Sequence, residues 1–237
     1  MTLKTASAVC LLIGLVSLSP AAEGDWIELY NGKDLTGWVQ RGGKAKYTAE
    51  GDMIVGSTVL KTPNSFLCTE KLYANFILEL EFKVSPVLNS GVQIRSECFE
   101  TEKTVTAAGK TIKIPAGRVH GYQVEIDMDP AKKRWWSAGI YDEGRRAWLY
   151  PGSLGGEGKA FTEQGARTSN PDGWNTFRIE ARGDSIKTWL NNELRASITD
   201  HMTPQGFIAL QVHGVANRPE MENLKVCWRK IRLKELK

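Results

Sequence analysis

The chain has 237 residues, 41% of them hydrophobic and 24% charged, with a formal net charge of +4. That is ordinary globular composition, and so mild and scattered a charge, with no recognition motif behind it, does not point to a nucleic-acid partner. Beyond residue 22 no apolar run is long enough to cross a bilayer as a helix.

In chain order, residues 1–22 read first, as an export signal. Lys4 supplies the positive start, "AVCLLIGLVSLS" is an apolar run too short to span a membrane, and "PAAEGD" offers small residues for cleavage near Ala21 or Ala22. The mature chain is therefore expected to be secreted or periplasmic. Residues 23–237 are expected to form a single domain, because no linker, charge block or repeat divides them. Cys68, Cys98 and Cys227 remain after cleavage. An odd number permits at most one internal disulfide, and their spacing fits neither a metal site nor a redox pair.

Strand patterns dominate the chain after the signal, and helical periodicity is nearly absent. "FILELEFKV" places Phe76, Leu78, Leu80, Phe82 and Val84 on one face. "SGVQIRSE" turns Val92 and Ile94 inward, with Gln93 and Arg95 outward. "GYQVEIDMDP" alternates Tyr122, Val124, Ile126 and Met128 with Gln123, Glu125, Asp127 and Asp129. "NTFRIEARGDSIKTWLNNELRASI" reads as two or three strands turning at Gly183-Asp184 and Asn191-Asn192. "GFIALQVHG" puts Ile208, Leu210 and Val212 on one side, Gln211 and His213 on the other. "ENLKVCWRKIRLKEL" closes the series. Many short strands with turn signals predict an all-β sandwich or jelly roll. The segments "CFETEKTVTAAGKTIKIPAGRVH" and "YPGSLGGEGKAFTEQGARTSNPDG" carry no strand pattern and are expected to be loops walling a cleft.

The outward rows are unusual. Gln93, Arg95, Gln123, Glu125, Asp127, Gln211 and His213 are amides, carboxylates, a guanidinium and an imidazole. An ordinary wet sheet face would favour Thr, Ser and Lys, since acidic residues form strands poorly and like charges repel. Groups of this kind grip hydroxyl-rich ligands. Aromatic side chains offer stacking surfaces for sugar rings. Trp135, Trp136, Tyr141, Trp148, Tyr150 and Trp189 are candidates, while Trp26, Trp174 and Trp228 read as core. Arg145 stands in the charged turn "YDEGRR". A small carbohydrate is the expected ligand.

The acids of "EIDMD" resemble the E-x-D-x-(x)-E strand of laminarinase-type glycosidases, but the third acid is Asp129 and Pro130 follows it. Glu125 and Asp127 also lie roughly 6.5–7 Å apart along the strand, whereas a retaining pair needs carboxyl groups about 5–5.5 Å apart.

"WIELYNGKDLTGW", "NSGVQIR", "GYQVEID", "AGIYDEGRR", "GWNTFRIEARGDSIKTWLNN", "GFIALQVHG" and "WRKIRLKEL" together resemble, in order, the 3-keto-disaccharide hydrolase domain family. The resemblance implies a concanavalin-like jelly roll with a concave polar face, and cleavage of glycosides already oxidised at C3. A C3 ketone acidifies the C2 proton, so a base can form an enolate that expels the C1 leaving group, and water can then add. Within that frame His213 or Glu125 is the candidate base, and Arg95 and Gln93 are candidate oxyanion or hydroxyl partners. Asp127 would orient the base or, with Glu125 and His213, help hold a divalent cation. Gln123, Tyr141, Arg145, Trp189 and Gln211 would bind the sugar. A sugar 3-oxidase would supply the substrate. The competing expectation is a lectin-like carbohydrate-binding module without catalysis.

Overall fold

The computed structural model describes residues 24–131 and 133–237, so the expected export signal lies outside the described residues. The chain runs through β1 (Trp26–Glu28), β2 (Trp38–Gly42), β3 (Lys46–Glu50), β4 (Met53–Ser57), β5 (Ser65–Thr69), β6 (Phe76–Val84), β7 (Ser90–Cys98), β8 (Lys103–Ala107), β9 (Lys110–Ile114) and β10 (Val119–Ile126). It continues through β11 (Met128–Asp129), β12 (Arg134–Trp135), β13 (Ile140–Glu143), β14 (Ala147–Tyr150), helix α1 (Gly158–Thr168), β15 (Asn175–Arg182), β16 (Ser185–Leu190), β17 (Glu193–Thr199), β18 (Phe207–Val212) and β19 (Lys225–Glu235).

Two antiparallel sheets form a concanavalin-like sandwich. One has the order β17-β16-β15-β6-β19-β4-β3, with β1 also paired to β19; the other has the order β14-β13-β10-β7-β18-β5-β2. Strict alternation explains the packing. Phe76, Leu78, Leu80 and Phe82 of the first sheet meet Val92, Tyr122, Val124 and Leu210 of the second in one core cluster. Each such fully buried side chain contributes about 1.5–3 kcal/mol of burial free energy.

The outer faces differ. On the first sheet, Glu79 pairs with Arg178 and Arg232, and Glu81 with Arg229 and Lys230, a solvated cross-strand charge ladder. The second sheet carries the amide and carboxylate rows.

Several expectations need correction. The segment 98–120 holds the β8–β9 hairpin, and the Gly-rich segment after Tyr150 holds α1. The helix escapes periodicity because only Phe161 and Gly165 of it are buried, too few to mark an apolar face. Glu157 caps it by accepting from the N–H groups of Lys159 and Ala160. The fully covered strand β5 lacks alternation because Leu67 faces the main core while Phe66 and Cys68 face a second apolar cluster. Trp228 is core, but Trp26 is 38% exposed beneath Arg232, and Trp174 lies under Arg229. Cys68, Cys98 and Cys227 are free thiols.

Candidate active site

A cavity of about 490 Å³ opens over the outer face of the second sheet. Its floor is set by strand register. Glu125 of β10 pairs with Gly91 of β7, and Gly91 with Gln211 of β18; Gln123 pairs with Gln93 and, on the other side, with Tyr141 of β13. Paired residues share a face, so separate stretches of sequence deliver their polar groups to one surface. Glycine at position 91 is required there, because a Cβ would stand 2.6 Å from Gln123 Cγ.

The amides form a directional chain. Ser96 Oγ donates to Gln93 Oε1 (2.6 Å), Gln93 Nε2 to Gln123 Oε1 (2.6 Å), and Gln123 Nε2 to Glu125 Oε1 (2.5 Å). Asn89 Nδ2 donates to the other carboxyl oxygen at 3.2 Å. Gln211 Oε1 lies 3.4 Å from Gln123 Nε2. Glu125 is only 4% exposed. Burial pushes its carboxyl up to about 8, against the pull of the Asn89 and Gln123 hydrogen bonds and with a further push from Asp127 and Glu143. At neutral pH it is therefore largely protonated. Both flanking amide nitrogens are donors, so neither accepts the carboxyl proton, which is left to be offered to a molecule in the cleft.

His213 lines the same cavity. Its Nδ1 lies 2.8 Å from the Gly214 carbonyl oxygen, which can only accept. Nδ1 thus carries the hydrogen in the neutral ring, and Nε2 holds the lone pair. Burial lowers the imidazole pKa, opposed by the Gly214 bond and by Asp127 and assisted by Arg218 and Arg134. A neutral imidazole and a neutral carboxylic acid therefore share one cleft.

Aromatic side chains make one wall. Tyr141 and Trp148 both line the cavity, with ring centroids 5.4 Å apart, and Trp136 packs edge-on to Trp148 at 4.6 Å. The Trp136 indole N–H donates to Thr162 Oγ1 of α1 (2.8 Å). Arg195 holds the helix from beneath, donating to the carbonyls of Trp135 (3.0 Å) and Phe161 (2.9 Å) and to Gln164 (2.8 Å). The segment expected as a loop wall is thus a helical brace.

Gln93, Gln123, Glu125, Gln211, His213 and Tyr141 come together here; Gln93 joins through the amide chain. Asp127 is buried nearby, but its carboxylate pairs with Arg134 of β12, and its backbone N–H donates to Ser137 Oγ (2.9 Å). Arg134 rather than Asp127 lines the cavity. Three expected members stand elsewhere. Arg95 has φ +44° at a β-bulge, where the registers of β7 with both β10 and β18 shift. The extra residue reverses the alternation, so Ser96 takes the cleft side. The Arg95 guanidinium instead donates to the carbonyls of Ala74 and Gly183, each at 2.7 Å, and to Asn75 Oδ1 at 3.2 Å. Arg145 is held by Asp142 and Thr203 beside the Tyr122 ring, a buried network that also takes in Arg146 and Asp200. Trp189 lies on the other sheet, under Arg178.

The donor set does not fit a divalent cation. Among the described residues no three His, Cys, Asp or Glu side chains converge as ligands, and Asp127 is committed to Arg134. Sequence reading left Asn64, Asn89, Arg134, Glu143 and Arg218 without a role, yet all line the cavity, as does Trp148, one of its stacking candidates. Asn89 opens the "NSGVQIR" stretch, and Trp148 stands in the aromatic cluster. The other four lie outside any alternating pattern or, like Glu143, in a charged turn.

The model of a family described as the 3-keto-alpha-glucoside-1,2-lyase-like domain matches residues 25–234. Solved structures share the fold. A candidate glycosyl hydrolase from Parabacteroides distasonis is 20% identical with a TM-score of 0.54, covering 90% of this chain and 94% of that one. A Bacillus subtilis protein of unknown function with a galectin-like fold gives 0.59 at 9% identity, covering 92% and 97%. The carbohydrate-binding module CBM66 from Bacillus subtilis gives 0.50 at 16% identity, covering 83% and 95%. No curated protein matches the chain.

Proposed function

The chain belongs to the 3-keto-alpha-glucoside-1,2-lyase-like domain family, and from that membership we propose that it cleaves glycosides oxidised at C3, by proton abstraction at C2 and elimination at C1. The observation that carries the reading is the pairing of Glu125 and His213 in one cavity, each neutral at neutral pH. Displaced pKa values of this kind separate the roles of acid and base.

His213 Nε2 takes the C2 proton, which the adjacent ketone has acidified. The electron pair passes into the C2–C3 bond as an enolate, and Arg134 and Arg218 in the cavity wall supply positive charge toward the developing oxyanion. Collapse of the enolate forms the C1–C2 double bond and breaks the C1–O bond. The leaving oxygen takes that electron pair and the Glu125 proton. Water added to the enone at C1 then yields the 3-keto sugar. Tyr141 and Trp148 provide the stacking wall, and Gln123 and Gln211 the hydroxyl partners. Ordinary glycosides lack the ketone, so a sugar 3-oxidase must act upstream. Export remains part of the proposal, on the strength of the N-terminal sequence, and N-terminal sequencing of the mature protein tests it.

The test of the chemistry is turnover of a 3-keto-glucoside. Glu125→Gln and His213→Ala should each lower kcat by about 10²–10⁴, with the fold retained by circular dichroism. Full activity in both variants refutes the assignment. Binding of plain glucosides by the wild type without turnover of the 3-keto form favours the lectin-like alternative.

A further inference from the structure

The cleft continues past the polar floor. A second cavity, of about 600 Å³, adjoins the first, and Asn64 and Glu143 stand in the walls of both. Its lining is mixed: Pro63, Phe66, Ala116 and Val119 give it an apolar stretch that the first cavity's floor of amides and carboxylates lacks, beside Thr62, Asn64, Arg118 and Glu143. Register explains the change. Glu125, Gly91, Gln211 and Phe66 form one row across β10, β7, β18 and β5, so Phe66 rises on the same face as Glu125. Three strand spacings separate them, roughly 14 Å. Phe66 also belongs to the apolar cluster with Cys68, Val119, Phe207 and Ala209 on that face. Gly91, between Glu125 and Gln211, has no side chain to block the row.

We propose that this second cavity is the leaving-group subsite and takes an apolar, aryl-bearing aglycone rather than a second sugar. This rests on the reaction proposed above. With the oxidised ring against Tyr141 and Trp148 and its C1 oxygen at Glu125, the aglycone extends over Gly91 and Gln211 toward Phe66. The roughly 14 Å row accommodates a glycosidic oxygen and one aromatic ring. A sugar in that position would set hydroxyls against Pro63, Phe66, Ala116 and Val119, which offer no side-chain partners, and would have to compete for Arg118 and Glu143, which already pair with each other at 3.2 Å. An aromatic ring would gain from the same contacts. On elimination the aglycone departs as a neutral alcohol, carrying the C1–O electron pair and the Glu125 proton.

The experiment compares three 3-keto-glucosides of one anomeric configuration, bearing methyl, benzyl or glucosyl aglycones. Methanol and benzyl alcohol are similar in acidity, so their difference reports binding rather than leaving ability. The benzyl compound should exceed the methyl in kcat/KM by about tenfold or more, and should also exceed the disaccharide. Ala116→Trp, on the exposed rim, fills the cavity and should reduce kcat/KM for the benzyl compound at least about tenfold more than for the methyl. A disaccharide preference, a benzyl compound no better than methyl, or an equal effect of Ala116→Trp on both overturns the subsite while leaving the reaction standing. Absence of turnover on all three overturns the reaction and the subsite together.

Discussion

Glu125 should destabilise the protein it serves, and its surroundings set the size of that effect. An unfolded Glu titrates near the ordinary 4.5; in the folded chain burial raises this to about 8. Below pH 4.5 both states hold the proton, and Glu125 makes no pH-dependent contribution. Between the two values the unfolded chain releases a proton that the folded chain keeps, so native stability falls by about 1.4 kcal/mol per pH unit. Above pH 8 the loss is complete, with an upper bound of about 5 kcal/mol. Relaxation and water entry will reduce it, so about 2 kcal/mol or more is expected. Glu125→Gln removes the titration. Its amide offers one oxygen to two donors, Gln123 and Asn89, which adds a constant cost of about 1–3 kcal/mol. The slope difference is therefore the readout, since other titrating groups are common to both proteins. Urea unfolding from pH 4 to 9 should show wild type losing stability relative to the variant as pH rises. Curves parallel within about 0.5 kcal/mol refute the burial argument.

The kcat/KM profile on a 3-keto-glucoside should be bell-shaped, rising through a value below 6.5 as His213 loses its proton and falling through about 8 as Glu125 ionises. A profile that does not fall between pH 7 and 9 removes Glu125 as the acid, and one that does not rise between pH 4 and 7 removes His213 as the base. Arg95→Ala should cost about 2–4 kcal/mol of stability by emptying a buried site and cutting its hydrogen bonds to Ala74, Asn75 and Gly183, yet leave KM of the folded enzyme unchanged; a raised KM would return Arg95 to the site. Trp148→Ala should raise KM about tenfold, and Trp189→Ala should leave it unaltered.

Alternation made the strands legible wherever one face is core and the other is not. Phe76–Val84, the Gln123–Glu125 stretch, the two turns at Gly183 and Asn191 and the strand before His213 all show this. Strand β5 is covered on both sides and so has no period to read. Helix α1 buries too little to reveal one. Within the site, residue type identified Gln93, Gln123, Glu125, Gln211 and His213 because amides, an acid and an imidazole are costly on a plain wet strand.

Parity failed at Arg95 for a local reason. One bulged residue inverts every side chain beyond it, and composition does not announce a bulge. Trp189 failed for a different reason: a strand's sequence shows which residues share a face but not which sheet it joins. Asp127 is engaged by Arg134 because the short β11–β12 hairpin folds back beside it, a contact between residues that alternation does not relate.

The sequence by itself determined the class of fold and the chemical character of the polar rows, because burial periodicity and residue chemistry are properties of a strand taken alone. Only the tertiary structure decided which rows lie side by side, that Glu125 is desolvated enough to hold its proton, and that Arg134, Glu143 and Arg218 complete the cleft. Those depend on register and on distances between strands far apart in the chain. A pKa is set by everything within a few ångströms, and a sequence lists neighbours of another kind.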